Sequence, residues 1–298
     1  MDRTRPGRRG AQSSGAALDA MIPARCVACE RRLRTERATP RRPFCADCEA
    51  ALPWWRAVDG CPKCGEPMGP DTARACPRCL AAGSPLHRCE CVLRYAGAVT
   101  RWIPGWKREG RTFGPPIEPE RAIDFFARSL AARIVAREMP IDVLVPVPIH
   151  PRRFWRRGFD QAAWIAGRIA RHGGPASRTG WLRRRRATAP QAALEGEARR
   201  ANVRGAFAVT TPPPADVRIG LVDDVLTTGS TLEAAADVLL EAGALEVHAL
   251  TLAATVAPAA RRPREAGGHR DRKRTDAGDR QNRPSAGPVA GGGPRVGL

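Results

Sequence analysis

Lysine is almost absent from this 298-residue chain: Lys63, Lys107 and Lys273 are its lysines, so arginine supplies nearly all of the formal net charge of +20. Aromatic residues are also scarce, at 5%. No window approaches the roughly 18 apolar residues that a membrane-spanning helix needs, and no apolar signal sequence precedes Cys26. These absences exclude a membrane span and predict a cytoplasmic protein. The positive charge favours polyanionic partners, although arginine enrichment also fits a GC-rich genome.

Composition divides the chain into four segments. Residues 1–20 and 258–298 are basic and rich in small residues, and both are predicted to be disordered. Residues 21–85 hold eight of the ten cysteines and no long periodic apolar segment. A bound metal, rather than a hydrophobic core, is expected to hold that module together. Residues 88–257 carry the apolar periodicity of an ordinary domain.

Apolar spacing within residues 88–257 predicts a regular order of helices and strands. Helices are predicted at 120–139, 159–171 and 230–242, and strands at 141–147, 217–223 and 245–256. The first helix is expected to bury Ile123, Phe126, Leu130, Ile134 and Val135 and to end before Pro140. The third is expected to begin at Ser230 or Thr231 and to close at Gly243. This alternation predicts an α/β fold, a parallel sheet flanked by helices.

A hydroxyl-rich turn follows the best-marked strand. The strand ends in Asp223 and Asp224, and the turn then carries Thr227, Thr228, Gly229, Ser230 and Thr231. Glycine allows the backbone to approach an anion, and the N–H groups at a helix start favour phosphate. The acids can accept hydrogen bonds from sugar hydroxyls or hold Mg²⁺. A ribose 5-phosphate satisfies both demands, whereas an ordinary helix cap explains only one hydroxyl.

A proline-rich turn follows the strand at 141–147. Val147 and Pro148 lie in it, and Arg152, Arg153, Arg156 and Arg157 come next. Such a stiff, donor-rich loop suits a diphosphate with Mg²⁺, although a proline turn beside a solvated basic face has the same sequence. Lys107 could reach the diphosphate or face solvent. The arginine run at 183–186 could contact nucleic acid phosphates or form a solvated loop.

The cysteines of residues 21–85 come in Cys-x-x-Cys pairs. The pairs are Cys26/Cys29, Cys45/Cys48, Cys61/Cys64 and Cys76/Cys79. Two such pairs complete a tetrahedral Cys₄ zinc site with no open position, so the zinc is expected to be structural. Sequential pairing is the simplest arrangement, and a cross-braced one fits the spacing too. Cys89 and Cys91 alternate in a predicted strand and are expected to be packing residues.

Several of these motifs carry a family resemblance. The acids and the turn after them resemble the phosphoribosyl-diphosphate (PRPP) motif of type I phosphoribosyltransferases. Further motifs are Arg157-Gly158-Phe159-Asp160-Gln161-Ala162, Thr188-x-x-Gln191, Arg199-x-x-Asn202-Val203-x-Gly205-Ala206-Phe207, and Trp106-Lys107 with Gly110 and Arg111. With the cysteine pairs, this order resembles the ComF family of competence-associated proteins. Asp160 stands where the family pattern has asparagine.

The resemblance implies specific roles. Asp223 and Asp224 would be the catalytic-site acids on the ribose hydroxyls, and Thr227–Thr231 would bind the 5′-phosphate. The expected cofactor-site residues on the diphosphate side are Val147, Pro148, Lys107, Arg157 and Gln161. The chain would be a phosphoribosyltransferase of nucleoside-type chemistry, using Mg²⁺ with PRPP and an unknown acceptor. Alternatively, the fold would be a non-catalytic scaffold that binds single-stranded DNA during uptake, alongside other competence proteins.

Overall fold

The computed structural model describes residues 25–33, 42–68, 75–107, 117–137, 139–186 and 202–255. The two terminal segments predicted at 1–20 and 258–298 lie outside these ranges. So do five residues of the resemblance motifs, namely Gly110, Arg111, Thr188, Gln191 and Arg199.

Seven α-helices lie wholly within these ranges. They are α1 (Ala46–Ala50), α2 (Pro77–Ala82), α3 (Val99–Trp106), α4 (Ile117–Ala136), α5 (Pro151–Arg157), α6 (Gln161–Arg171) and α7 (Ser230–Glu241). A 3₁₀ turn covers Ala57–Asp59. Within the described ranges, every helix is too short or too polar to cross a membrane.

The strands form a parallel sheet and a small hairpin-like pair. They are β1 (Arg88–Arg94), β2 (Val143–Pro146), β3 (Ala176–Ser177), β4 (Leu182–Arg184), β5 (Phe207–Val209), β6 (Arg218–Leu226) and β7 (Glu246–Ala254). The sheet has the order β1-β7-β6-β2-β3, and each pair in it is parallel. Strands β4 and β5 pair antiparallel outside it. The predicted α/β class is therefore confirmed.

Helices cover both faces of the sheet. Since successive residues of a strand point to opposite faces, each strand contributes side chains to two cores. One core joins Leu144, Val222 and Leu250 of the strands to Phe126 and Leu130 of α4 and to Ile165 and Ile169 of α6. The other joins Val145, Leu221 and Val247 to Leu232, Ala236 and Leu239 of α7. Each buried leucine or isoleucine contributes about 1.5–3 kcal/mol, so the sheet gives the site a rigid base.

The structure confirms some of the predicted boundaries and corrects others. Strand β6 runs on to Leu226, because its pairing with β7 continues through Val225 and Leu226. Helix α7 begins at Ser230, as predicted, but the residue before it is Gly229 in the left-handed conformation (φ 76°), without a side-chain cap. The helix closes at Gly243, as predicted, because Gly243 follows the C-cap Ala242 with φ 105° and donates to the Leu240 carbonyl at 3.0 Å. Val135 is 67% exposed because it faces away from the core that the rest of α4 covers.

The turn predicted after β2 contains a helix that the sequence pattern did not predict. Helix α5 begins at Pro151, a residue with φ suited to the first helical turn. The side chain of His150 caps it by accepting a hydrogen bond from the Arg152 amide at 3.2 Å. Gly158 ends it in the left-handed conformation, with φ 80°. The four arginines of this stretch therefore lie on a short helix rather than on a loop.

Strand β1 confirms the prediction for the two isolated cysteines. Cys89 and Cys91 both lie in β1, and Cys91 is completely buried within the sheet. The thiol of Cys91 donates to the Leu93 carbonyl at 3.2 Å. Neither residue belongs to a cysteine cluster among the described residues.

Candidate functional site

A cavity of about 360 Å³ lies beyond the carboxyl ends of β1, β2 and β6. Because these strands are parallel, their carboxyl ends share one edge of the sheet, where α/β folds bind ligands. Ten residues predicted for the site line the cavity: Lys107, Val147, Pro148, Arg157, Gln161, Asp223, Asp224, Thr227, Gly229 and Thr231. The sheet therefore brings together residues that are far apart in the sequence.

The phosphate loop, Thr227–Gly229, joins β6 to α7. Its backbone is held by the Thr255 hydroxyl, which donates to the Thr227 carbonyl at 3.1 Å. The hydroxyls of Thr228 and Ser230 lie 3.1 Å apart and bond to each other. Neither of these two side chains is among the residues that line the cavity. The cavity instead meets Thr227, Thr231 and the start of a twelve-residue helix, whose N-terminus favours an anion.

Asp223 and Asp224 are adjacent acids in a largely buried setting. The Asp224 amide donates to the Asp223 carboxylate at 2.8 Å. Burial, followed by the neighbouring charge of Asp224, raises the pKa of Asp223 to about 7. A carboxylate with a raised pKa gains from any ligand that donates hydrogen bonds or positive charge to it.

Lys107 joins this pair from the end of α3. Its Nζ lies 2.6 Å from Oδ2 of Asp224, whose side chain is only 11% exposed. The charge of Lys107 also lowers the pKa of Asp223, against the larger effects of burial and of Asp224. The lysine thus lines the cavity while paired with an acid, rather than facing open solvent.

Gln161 faces the cavity from the first turn of α6. Its Oε1 accepts from Nη1 of Arg157 at 3.1 Å, and the side chain is almost fully buried. Among the described residues, no hydrogen-bond partner is found for Gln161 Nε2. Because an unpaired buried amide is costly, this donor is suited to a ligand oxygen.

Asp160, the departure from the family pattern, acts as a helix cap. Its carboxylate accepts from the Ala163 amide at 3.0 Å and from the Ile149 amide at 3.1 Å. Burial raises its pKa, against these two hydrogen bonds. Each carboxylate oxygen accepts one of these bonds. An asparagine amide would offer one acceptor oxygen and one donor group, so aspartate suits both contacts.

Eight further residues line the cavity, and three of them have polar side chains that were not among the predicted site residues. They are Tyr95, Arg153 and Arg184. Tyr95 directly follows β1, whose carboxyl end lies at the same edge as that of β6. Arg184 lies on β4, with its guanidinium 5.2 Å from the centre of the Phe207 ring. Tyr95 is the chain's single tyrosine, and its place after β1 was the available signal. Nothing in the sequence placed β4 beside the cavity.

The eight paired cysteines form two separate clusters. The sulfurs of Cys26, Cys29, Cys45 and Cys48 all lie within 4.8 Å of one another, and so do those of Cys61, Cys64, Cys76 and Cys79. Tetrahedral zinc with Zn–S bonds of about 2.3 Å places its sulfurs about 3.8 Å apart. The Cys29–Cys45 sulfurs lie 3.8 Å apart, and the Cys64–Cys76 sulfurs lie 3.7 Å apart. The residues therefore fit structural zinc, with sequential pairing.

The two clusters are copies of one small unit. In the first, the Cys45 amide donates to the Cys26 sulfur at 3.3 Å; in the second, the Cys76 amide donates to the Cys61 sulfur at the same distance. Such amide bonds stabilise thiolates. Burial alone would raise the pKa of Cys61, but backbone amides lower it to about 7. Cys26 has the same pKa of about 7 for the same reasons. Each cluster thus contains a thiol prepared for a metal.

Sequence comparison divides the chain in the same way. Residues 17–80 match a family described as "Double zinc ribbon domain", and residues 190–273 match one described as "Phosphoribosyl transferase domain". A solved purine phosphoribosyltransferase from Pyrococcus horikoshii is 21% identical, over 44% of this chain and 72% of its own, with a TM-score of 0.29. The sheet and the two family matches define a phosphoribosyltransferase-type protein with a double zinc ribbon.

Relatives identify the family. "DNA utilization protein YhgH" of Salmonella typhi is 32% identical over 217 residues, covering 72% of this chain and 91% of the relative. "Competence protein F" of Haemophilus influenzae is 26% identical over 232 residues, covering 77% and 96%. The chain belongs to this family, the ComF family.

Proposed function

We propose that the cavity binds PRPP and that the protein transfers its phosphoribosyl group to an acceptor. The observation that carries this proposal is that two adjacent acids, the buried Asp224 and the partly buried Asp223, line one cavity together with the phosphate loop. The acids alone would repel a phosphate, and the loop alone would bind any anion. Together they suit a sugar phosphate, with the hydroxyls on Asp223 and Asp224 and the 5′-phosphate at Thr227–Thr231.

The diphosphate would lie on the opposite wall of the cavity. Nε2 of Gln161 is a buried donor on that wall, and Arg153 and Arg157 line it too. Arginine donates to phosphate oxygens in a fixed, bidentate geometry. Val147 and Pro148 extend from β2 in the same wall and give it a stiff backbone.

A magnesium ion fits the donor set, since hard cations prefer carboxylate oxygens. Asp223 and Asp224 would hold it together with ligand oxygens. When bound, magnesium neutralises charge on the leaving diphosphate. In the transfer, the bond between ribose C1 and the diphosphate oxygen breaks. The diphosphate leaves with the electron pair, and an acceptor nucleophile bonds to C1. The chain's residues contribute positioning and charge stabilisation.

Calorimetry with magnesium and PRPP tests the binding step. We expect the parent to bind and the Asp223→Asn/Asp224→Asn double variant to lose binding. Asp142→Asn is the matched control, because Asp142 lies just before β2, at the opposite end of that strand, and bonds to the Arg218 amide. Equal binding by the parent and the double variant would refute the site. Diphosphate release against a panel of bases and nucleic acids tests transfer, and no release with any acceptor would contradict it.

A second candidate function is binding of single-stranded DNA, and helix α5 favours it. Trp155 is 77% exposed there, and the same short helix carries Arg152 and Arg156. An exposed aromatic ring among arginines can stack a base while the arginines meet phosphates. The names of the relatives, which refer to DNA utilization and competence, agree with this function.

A gel shift with single-stranded DNA at low salt tests this second function. Stacking on one aromatic contributes about 1–3 kcal/mol per base, so Trp155→Ala should weaken binding by about tenfold or more. Val135→Ala, which also truncates an exposed apolar side chain, should bind as the parent does. No shift by the parent at low salt would exclude the function.

A further inference from the structure

The second cysteine cluster lies directly against the phosphate loop. The Cys64 carbonyl oxygen would be 3.1 Å from a Cβ placed on Gly229. Contacts of that length are tighter than ordinary van der Waals packing. The loop glycine therefore serves two needs: it adopts a left-handed conformation, and it leaves space for the backbone of the cluster.

A partly buried ion pair links the same cluster to helix α7. Arg78, between Cys76 and Cys79, donates from Nη2 to Oε1 of Glu233 at 2.6 Å. The Glu233 side chain is 10% exposed, and its amide bonds to the Gly229 carbonyl at 2.9 Å. Glu233 thus connects Arg78 to the first turn of α7, the turn that follows the phosphate loop.

Comparison of the two clusters shows why the second one can pack closely against the end of β6. After the first Cys-x-x-Cys, Glu30 has a left-handed backbone with φ 61°, and its amide bonds to the Cys26 carbonyl at 2.8 Å. Gly65 has the same place, with φ 70° and an equivalent bond to Cys61. Glu30 is exposed to solvent. A Cβ on Gly65 would lie 2.8 Å from Cδ1 of Leu226, the last residue of β6. The repeated turn uses glycine where it packs against the strand that leads into the loop.

We propose that the second cysteine cluster, when it holds its metal, fixes the conformation of the phosphate loop, with Arg78 as a positioning residue. Metal occupancy of this cluster then controls the affinity of the cavity for a phosphorylated sugar. This second part rests on the proposed function. The contacts at Leu226, Gly229 and Glu233 bracket the loop on both sides. Loss of the metal would release all three, whereas loss of metal from the first cluster would not.

The first test needs no ligand. Hydrogen exchange of amides 227–232 is measured in the full-length, zinc-loaded parent, in Arg78→Ala and in Gly65→Ala. The matched controls are Asp47→Ala and Glu30→Ala, which occupy the equivalent positions in the first cluster. Zinc content is measured for every variant. Glu233→Gln tests the same ion pair without touching a residue near a metal ligand.

We expect faster exchange of the loop amides in Arg78→Ala, Gly65→Ala and Glu233→Gln, with exchange unchanged in the two controls. Unchanged exchange in all three variants would overturn the proposal. Faster exchange in these variants, together with a parent protein that does not bind PRPP, would leave this positioning role standing and refute the proposed function instead. The two ideas therefore fail separately.

The second test uses linkage between metal and ligand. Couplings between sites commonly reach about 5-fold to 100-fold, so we expect Arg78→Ala to weaken magnesium–PRPP binding by about tenfold. Coupling is reciprocal. Saturating PRPP should therefore slow the loss of zinc to a chelator from the second cluster and leave the loss from the first cluster unchanged. Equal rates with and without PRPP, in a parent that binds it, would contradict control by metal occupancy.

Discussion

Ligand binding is expected to strengthen as the pH rises through 7, because of Asp223. The charged groups that face this acid are Asp224, Asp160, Lys107 and Arg184. Burial, and then the charge of Asp224, raises the pKa of Asp223 to about 7. Below that pH the carboxyl is protonated, and it loses the charge that would attract magnesium and accept two sugar hydroxyls. The ionised form of Asp223, which binds the sugar, is therefore the form that becomes populated as the pH rises.

The expected magnitude follows from one titration. With a pKa of about 7, the ionised fraction falls from about 0.9 at about pH 8 to about 0.1 at about pH 6, a change of about tenfold or about 1.4 kcal/mol. For folding the sign is opposite. A raised carboxyl pKa contributes stability that is fully present below the unfolded value of about 3.9 and is lost as the pH rises through about 7.

Calorimetry at several pH values checks the binding change. Ribose 5-phosphate is compared with inorganic phosphate, which titrates in the same region but has no sugar hydroxyls. Only the sugar ligand should show the additional tenfold weakening at low pH, accompanied by proton release on binding. A parallel pH dependence for both ligands would refute the role of Asp223.

Two further predictions concern neighbouring residues. Gly229→Ala places a Cβ 3.1 Å from the Cys64 carbonyl oxygen, on a backbone with a left-handed φ of 76°. This strain should cost about 1–2 kcal/mol of stability and lower the melting temperature by about 2–8 °C. An unchanged melting curve would argue against the strain. Lys107→Met leaves the buried Asp224 without its cation, so we expect lower stability and, because the charge of Lys107 lowers the pKa of Asp223, a binding midpoint moved to higher pH. Carboxyl NMR measures that pKa, and an unshifted midpoint would contradict the pairing.

The regular part of the fold could be predicted from the sequence because it depends on local pattern. The apolar strands, the acids after them and the glycine at the turn all lie within short windows. The same windows located Cys89 and Cys91 in a strand. Helix α5 was missed because its apolar residues Phe154 and Trp155 are exposed, so it has no buried stripe to reveal it. The end of β6 was misplaced because charged residues inside a strand look like a turn.

Contacts between distant segments could not be predicted from local patterns. The pairing of Lys107 with Asp224 depends on how α3 meets the end of β6. Arg184 reaches the cavity from β4, a strand with no clear apolar run. The cysteine spacing allowed two pairings, and the choice between them depends on how the two units fold. Such features are set by packing across the molecule rather than by neighbouring residues.

The two cysteines of strand β1 differ in reactivity from the eight cysteines of the two clusters. Cys91 is sealed in the sheet, where burial raises its pKa to about 12, and burial likewise keeps the pKa of Cys89 well above its usual value. Both therefore stay protonated at neutral pH, and a protonated thiol reacts slowly with thiol reagents. The thiols that react when a thiol reagent is added to the native protein are therefore expected to be those of the two clusters. Their number would measure how much metal the clusters have lost.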